Sequence, residues 1–269
     1  MEEEEVFEVD PRWKQQDVAS DTATGAALEE LERRARLMGP AYPFDVDRGR
    51  LRHRPSKLGF YEFCLATSRA PNITTGDFVN LPRDFERVVA LLVKGYLGPH
   101  SDVLHTGSPR DSEVGTRFTE AMRTLNARSG QWHWCPEDGL PQDPRTTGDE
   151  GVDFVAWKRS LDGRPGQIFI LGQCACGRDD WDTKFGDIDL ERFGKWFSPK
   201  VHPSPVKLFA TPHHITDAML ADAQRRAGLV LDRARLTLIA ESLATDPEVA
   251  AWPPRLATRR ALVVPTVAA

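Results

Sequence analysis

Long apolar runs are absent from this sequence, and cysteine is scarce. The most apolar stretches, VVALLV at 88–93 and IFIL at 168–171, have the length of core elements, because a membrane-spanning helix needs about 18 apolar residues. Four cysteines in 269 residues do not make a disulfide scaffold. The acidic stretch MEEEEVFEVD also differs from a secretory or mitochondrial leader. We therefore expect a soluble, cytoplasmic protein with reduced thiols and no membrane partner.

The common catalytic and nucleotide-binding signatures are also missing. No Walker loop, GxGxxG, HExxH, GxSxG or EF-hand spacing occurs at a plausible position, so the sequence does not indicate those enzyme classes. The net charge of −5 is unevenly distributed, with about −7 in residues 1–150 and about +2 in residues 151–269; this is compatible with a nucleic-acid surface in one part, but charge alone decides little.

The order of helical and strand patterns predicts an α/β protein. Helices are predicted around 25–39, 81–98 and 214–228, and strands around 149–160, 167–175, 206–211 and 229–232. The segment YPFDVDRGRLRHR at 42–54 predicts a strand–turn–strand element, and ALVVPTVA near the end predicts a last strand. We expect a mostly helical N-terminal extension (1–78), an α/β domain with a mixed central sheet flanked by helices (79–245), and a C-terminal tail (246–269).

The most informative stretch is GDEGVDFVAWKRSLDGRPGQIFILGQCACGRDDWDTK at 148–184. A hairpin turn centred near Gly163 would place Asp153 opposite Gln173, with Cβ atoms about 4.5–5.5 Å apart. By the period of two, Ala175 shares the face of Gln173, whereas Lys158 points to the other side. The pattern predicts an acid and an amide that converge from adjacent strands.

This arrangement resembles the PD-(D/E)XK, or restriction-endonuclease-like, nuclease superfamily. The resemblance implies that Asp153 and Gln173 hold a divalent metal ion, together with an acid from the preceding helices, for which Glu86 and Glu120 are both candidates. The family lysine would fall at Ala175, which is a departure, and Lys184 in WDTK is the candidate to replace it. The phrase LGQCACGRDDWDTK also resembles an uncharacterised bacterial branch with a QCATG…W…K pattern.

The resemblance implies a metal-dependent endonuclease that cuts DNA, with a role in restriction or anti-phage defence. Phosphodiester hydrolysis needs an activated water and stabilisation of charge at the phosphate. Mg²⁺ or Mn²⁺ held by Asp153, Glu86 and the carbonyl of Gln173 would suit that chemistry, and a lysine suits the developing negative charge. A homodimer would suit a double-strand cut. The alternative is an inactive nuclease-fold subunit that binds nucleic acid or a partner protein of a defence complex.

Other residues carry competing interpretations. Trp181, Arg178 and Arg233 are candidate nucleic-acid contacts, although core packing is the default for the tryptophan and an internal ion pair for Arg233. The pairs His133/Cys135 and Cys174/Cys176 could make a four-ligand zinc site, but their spacing is not that of a zinc knuckle, and packed thiols are the favoured interpretation.

Overall fold

The computed structural model describes residues 11–138, 148–200 and 204–267. Contacts divide the chain into two units, of which the first ends at Ser56 and the second begins at Lys57. The boundaries expected from the sequence, at residues 78 and 245, stay a prediction. In the part of the chain that the structure describes, every helix is too short or too polar to cross a lipid bilayer.

The first unit contains a long helix and a short hairpin. α1 (Pro11–Met38) is followed by β1 (Phe44–Asp47) and β2 (Arg50–His53), which pair in antiparallel fashion. Both turn residues, Arg48 and Gly49, have positive φ angles of 47° and 74°. A two-residue turn of this kind matches the twist of the flanking strands. The predicted strand–turn–strand element is confirmed.

The second unit is built around a mixed five-stranded sheet. The strands of this unit, in the large sheet and in a separate pair, are β3 (Ser101–His105), β4 (Trp132–Trp134), β5 (Phe154–Lys158), β6 (Ile168–Cys174), β7 (Phe197–Lys200), β8 (Val206–Ala210) and β9 (Leu229–Leu231). The large sheet has the order β3-β5-β6-β8-β9, while β4 and β7 form a separate pair. β3, β5 and β6 pair antiparallel, and β6, β8 and β9 pair parallel.

Helices cover both faces of this sheet. They are α2 (Phe60–Arg69), α3 (Asn80–Leu97), α4 (Phe118–Ser129), α5 (Leu190–Gly194), α6 (Asp217–Ala227), α7 (Arg233–Ser242), α8 (Pro247–Ala250) and α9 (Pro253–Val267). Successive side chains of a strand point to opposite faces. Accordingly Phe154 packs in one hydrophobic cluster with Phe85 of α3, and Val155 packs in another with Met122 of α4. The predicted α/β class, with a mixed sheet flanked by helices, is confirmed.

The β5–β6 hairpin has the predicted register. Phe154 pairs with Gly172 and Lys158 with Ile168, and one further step along this register sets Asp153 opposite Gln173. Lys158 lies at the other end of the hairpin, where its Nζ donates a hydrogen bond to the carbonyl of Leu97 (2.6 Å). The end of the sheet that carries Asp153 is thus separated from Lys158 by the length of β5.

The predicted C-terminal strand is wrong, because this segment belongs to α9. Leu256 is buried in the main core, and Arg255 and Arg259 both form ion pairs with the buried carboxylate of Asp84 on α3. Residues four apart share one face of a helix, whereas in a strand they would lie about 13 Å apart. Because both arginines contact the same carboxylate, the helix is favoured over the strand that the β-branched residues of the segment would prefer.

Candidate active site

Asp153 lies directly before β5 and is held by the chain on both sides. Its backbone N–H donates to the carbonyl of Gly172 (2.8 Å), and its own carbonyl accepts from the N–H groups of Thr106 (2.7 Å) and Gly107 (2.8 Å), just beyond β3. The carboxylate Oδ2 accepts from the backbone N–H of Cys174 (2.7 Å). These bonds fix the Asp153 side chain where the ends of β3, β5 and β6 meet.

Glu86 brings a second carboxylate to this place from α3. The preceding residue, Phe85, is fully buried and anchors the helix, and Glu86 lies at the margin of the core with a side chain 16% exposed. A methyl carbon built on Gly107 would lie 3.1 Å from Glu86 Oε2, 3.2 Å from Asp153 Oδ1 and 3.3 Å from His105 Nε2. Three polar side chains therefore surround one point in front of Gly107.

The charges around this point are not balanced. Burial raises the pKa of Asp153 well above its usual value, and the neighbouring carboxylates of Glu86 and Asp149 raise it further. The N–H of Cys174 and the positive charge of Lys184 lower the same pKa without cancelling the rise. Carboxylates that face one another in a poorly solvated place disfavour their own ionisation. A bound cation would relieve that cost, and such perturbed groups are typical of functional sites.

Lys184 lies on a segment that folds back onto the end of β6. Ala175, where the resembled family has its lysine, is buried in one hydrophobic cluster with Phe185 and Phe209. Phe185 belongs to the 3-10 helix Trp181–Gly186, which also carries the partly buried Lys184. This packing brings the ammonium group close enough to lower the pKa of Asp153. The catalytic role of Lys184 stays a prediction.

Gln173 is buried at the end of β6, but its amide has a different partner. Its Nε2 donates to Oδ2 of Asp187 (2.9 Å). By strand alternation Gln173 shares a face with Leu171 and, across the β5–β6 pairing, lies opposite Asp153. The structure thus ties Gln173 to Asp187, and Asp153 meets Glu86 and His105.

Glu120 lies at the first turn of its own helix. Its Oε2 accepts from the backbone N–H of Arg117 (3.0 Å), and this hydrogen bond is the main reason that the pKa of Glu120 is lowered. A carboxylate in this position caps the helix N-terminus. Of the two candidate acids, the structure places Glu86 beside Asp153 and gives Glu120 a capping role.

Two of the candidate nucleic-acid residues lie on the loop after β6. Trp181 is partly buried and stacks on His213, with ring centroids 5.4 Å apart and planes at 13°. The ring of His213 also contacts the carbonyl of Gly177 through Nε2 (2.9 Å). Arg178 is exposed. The stack braces the loop that leads to Lys184, and Arg178 remains available for a phosphate.

Arg233 is not available in that way. It is 6% exposed, its Nε donates to the carbonyl of Pro212 (3.0 Å), and its guanidinium lies over the ring of Tyr61. The prediction of a phosphate contact at Arg233 is therefore replaced by a structural role at the start of α7.

The two halves of the alternative zinc site lie in different sheets. His133 is on β4, which pairs with β7 and is followed by the exposed Cys135, while Cys174 and Cys176 pack with the main core. Burial raises the pKa of both core thiols well above the usual value, which disfavours the thiolate form that zinc requires. Packed thiols are the better description.

Glu86 and Asp153 suit a divalent cation that prefers hard oxygen ligands. Within residues 11–138, 148–200 and 204–267, no three His, Cys, Asp or Glu side chains form a ready-made metal-binding group. Mg²⁺ commonly uses only one or two carboxylates and completes its shell with water and phosphate oxygens. The oxygen donors around Gly107, and the buried Asp153 carboxyl whose ionisation a cation would favour, therefore fit the ion that the resemblance implies.

Sequence reasoning missed several residues around the site. His105 ends an edge strand that carries no clear alternation and Gly107 follows it, and the pairing of β3 with β5 brings both to Asp153. Asp187 is joined to the site through its hydrogen bond with Gln173. Asp149 lies within GDEGVD, four residues before Asp153. This short separation could have indicated that its charge acts on Asp153.

No protein-family model matches this sequence, and no curated protein matches it. Among solved structures, the chain is similar to the MspJI restriction endonuclease in complex with a 27-mer oligonucleotide, with a TM-score of 0.29 and 11% identity. The match covers 65% of this chain and 31% of that chain, which is less than a third of its length. A similarity at this level supports no conclusion about activity.

Proposed function

We propose that this protein is a metal-dependent DNA endonuclease. The observation that carries the proposal is that two carboxylate oxygens converge: Glu86 Oε2 and Asp153 Oδ1 lie 3.1 and 3.2 Å from the place that a β-carbon on Gly107 would occupy. The raised pKa of Asp153, with Lys184 as a nearby opposing charge, supports a site built for a cation and a phosphate.

In this proposal Glu86 and Asp153 hold Mg²⁺ or Mn²⁺, which when bound supplies Lewis-acid stabilisation of the phosphate. The Cys174 N–H keeps the Asp153 carboxylate oriented. The attacking water would lose its proton to solvent, and Lys184 Nζ would donate a hydrogen bond to the hydroxide that results and stabilise the negative charge that develops at the phosphate. Gln173, whose amide nitrogen is held by Asp187, offers its carbonyl oxygen as a neutral ligand.

DNA is the proposed substrate, and restriction or anti-phage defence in the cytoplasm is the proposed setting. Arg178 and Trp181, on the loop that carries Lys184, are the proposed backbone and base contacts. A homodimer would supply two such sites for a double-strand cut.

A second candidate function is that of an inactive nuclease-fold subunit that binds nucleic acid or a partner protein. Two observations favour it. Ala175 is a buried alanine where the resembled family has a lysine, and the amide of Gln173 is already engaged by Asp187.

Incubation of the purified protein with supercoiled plasmid separates the two candidates. We expect nicking or linearisation with Mg²⁺ or Mn²⁺, loss of cleavage on addition of EDTA, and no cleavage by Asp153→Asn. Cleavage that survives EDTA, or no cleavage with any divalent metal ion, would contradict the proposal of a metal-dependent endonuclease. Glu113→Gln, an exposed acid, is the matched control for the loss of one negative charge.

A further inference from the structure

His105 is a nearly buried side chain that the proposed chemistry does not use directly. Its side chain is 8% exposed, and its Nε2 lies 3.1 Å from Oε2 of Glu86. Its Nδ1 is buried and has no hydrogen-bond partner among the described residues. A buried polar atom without a partner is unusual in a folded protein. The polar contact that orients the His105 ring is therefore the one between Nε2 and Glu86.

The direction of the hydrogen bond follows from the partners. An ionised carboxylate can only accept, so we infer that the hydrogen is on Nε2 and that His105 donates to Glu86. His105 is the last residue of β3, and β3 pairs with β5 directly before Asp153. The sheet therefore sets the position of the imidazole, and the imidazole sets the rotamer of a carboxylate that comes from a helix.

Gly107 keeps the space between these groups open. A β-carbon there would lie within 3.3 Å of Glu86 Oε2, Asp153 Oδ1 and His105 Nε2, closer than ordinary van der Waals contact. The backbone at Gly107 does not have the positive φ that disfavours alanine. The need for glycine at this position therefore comes from the space that a side chain would fill.

We propose that His105 is a positioning residue, which orients Glu86 toward the divalent cation while Gly107 leaves room for that ion. The proposal rests on the metal ligands of the proposed function. Hydrogen-bond partners of metal ligands typically contribute about 10–100-fold to metal affinity, because they hold the ligand in its binding orientation.

The test measures metal binding directly, by titrating Mn²⁺ into the full-length protein and following free Mn²⁺ by electron paramagnetic resonance. We expect His105→Leu to weaken Mn²⁺ binding by about 10–100-fold. His105→Gln should retain most of the affinity, because the glutamine Nε2 can donate from nearly the same place. Gly107→Ala should weaken binding although every ligand is still present.

Matched controls separate this effect from a change in folding. His133→Leu replaces an exposed histidine on β4, and Gly25→Ala places a methyl group where nothing lies within 4 Å; both should bind Mn²⁺ as the wild type does. Equal loss in His105→Leu and His105→Gln, or wild-type affinity in His105→Leu, would overturn the proposal.

The readout is independent of DNA cleavage. If the wild type binds Mn²⁺ and the variants behave as expected but no nucleic acid is cut, the endonuclease proposal fails and the role of His105 stands. If DNA is cut in a metal-dependent manner but His105→Leu binds Mn²⁺ normally, the role of His105 fails alone. If the wild type binds no Mn²⁺, the role of His105 is also wrong.

Discussion

Helix α3 carries two poorly exposed carboxylates, two residues apart, in opposite electrostatic surroundings. Asp84 is 3% exposed and is paired with Arg255 and Arg259 of α9. Glu86 instead faces a histidine and a second carboxylate, Asp153. The first arrangement gives a buried carboxylate cationic partners and stabilises the fold, whereas the second leaves a negative excess that a ligand can neutralise. Departures from internal balance of this kind are expected at functional sites.

The largest expected effect tests the unbalanced region. Lys184→Ala should lower the cleavage rate by about 100–1,000-fold, the usual cost of removing one group that stabilises developing negative charge, and leave the Kd for DNA nearly unchanged. Single-turnover cleavage and a binding assay measure the two quantities.

Lys158→Ala is the matched control for Lys184→Ala. Its Nζ donates to the Leu97 carbonyl at the far end of the hairpin, so its removal should cost about 1 kcal/mol of stability and no activity. An inactive Lys158→Ala with an active Lys184→Ala would show that the wrong lysine has been assigned.

The next effect tests the balanced region. Asp84→Asn should lower the free energy of unfolding by about 1–3 kcal/mol, because it removes the charge that two arginines of α9 share but leaves no buried cation behind. Urea unfolding measures the change, and Mn²⁺ affinity should not alter. Glu248→Gln, which breaks an exposed pair with Lys94, should cost less than about 1 kcal/mol; an equal loss in both variants would remove the distinction between the two regions.

A third experiment follows the stability of the metal-free protein with pH. Because the folded protein raises the pKa of Asp153 above its unfolded value, the folded state binds more protons than the unfolded state between those two values. The contribution of Asp153 to stability is therefore greatest in acid and falls as the pH rises through the folded pKa.

Asp153→Asn should remove this fall, because asparagine carries no charge and can still accept from the Cys174 N–H. In EDTA the variant should unfold at a higher temperature than the wild type near neutral pH, and the difference should shrink toward acid. Parallel melting curves over the whole pH range would contradict a strained carboxylate at this site.

The smallest effect concerns Glu120. Since its lowered pKa reflects a hydrogen bond to its own helix N-terminus, Glu120→Gln should slightly reduce stability above the ordinary glutamate pKa. This difference should disappear as the pH falls and the wild-type carboxylate is protonated. DNA cleavage should be unchanged; a large loss of activity would show that Glu120, and not Glu86, completes the site.

The predictable part of the site is the part made by local pairing. Asp153 and Gln173 could be set opposite each other because a hairpin turn near Gly163 and a side-chain period of two determine the register. The same reasoning predicted that they would act together, which stays a prediction; the structure adds that the amide nitrogen of Gln173 donates to Asp187. Register gives adjacency in the sheet, but the partner of a terminal side chain depends on the loops around it.

The least predictable parts depend on which helix packs on which face. The β-branched residues near the C-terminus favoured a strand, and the ion pairs with Asp84 and the burial of Leu256 favour the helix that is present. Local propensity is a weak preference that tertiary contacts override.

The sequence by itself determined the β5–β6 hairpin, the α/β class and the place of Asp153, because these follow from periodicity within about 30 residues of chain. Only the tertiary structure decided that Glu86 and not Glu120 meets Asp153, that His105 contacts Glu86 from 19 residues away, and that Asp84 binds Arg255 from 171 residues away. The physical reason is that a side chain's distant partner depends on how helices dock on the sheet, and docking is set by the combined burial of many apolar residues.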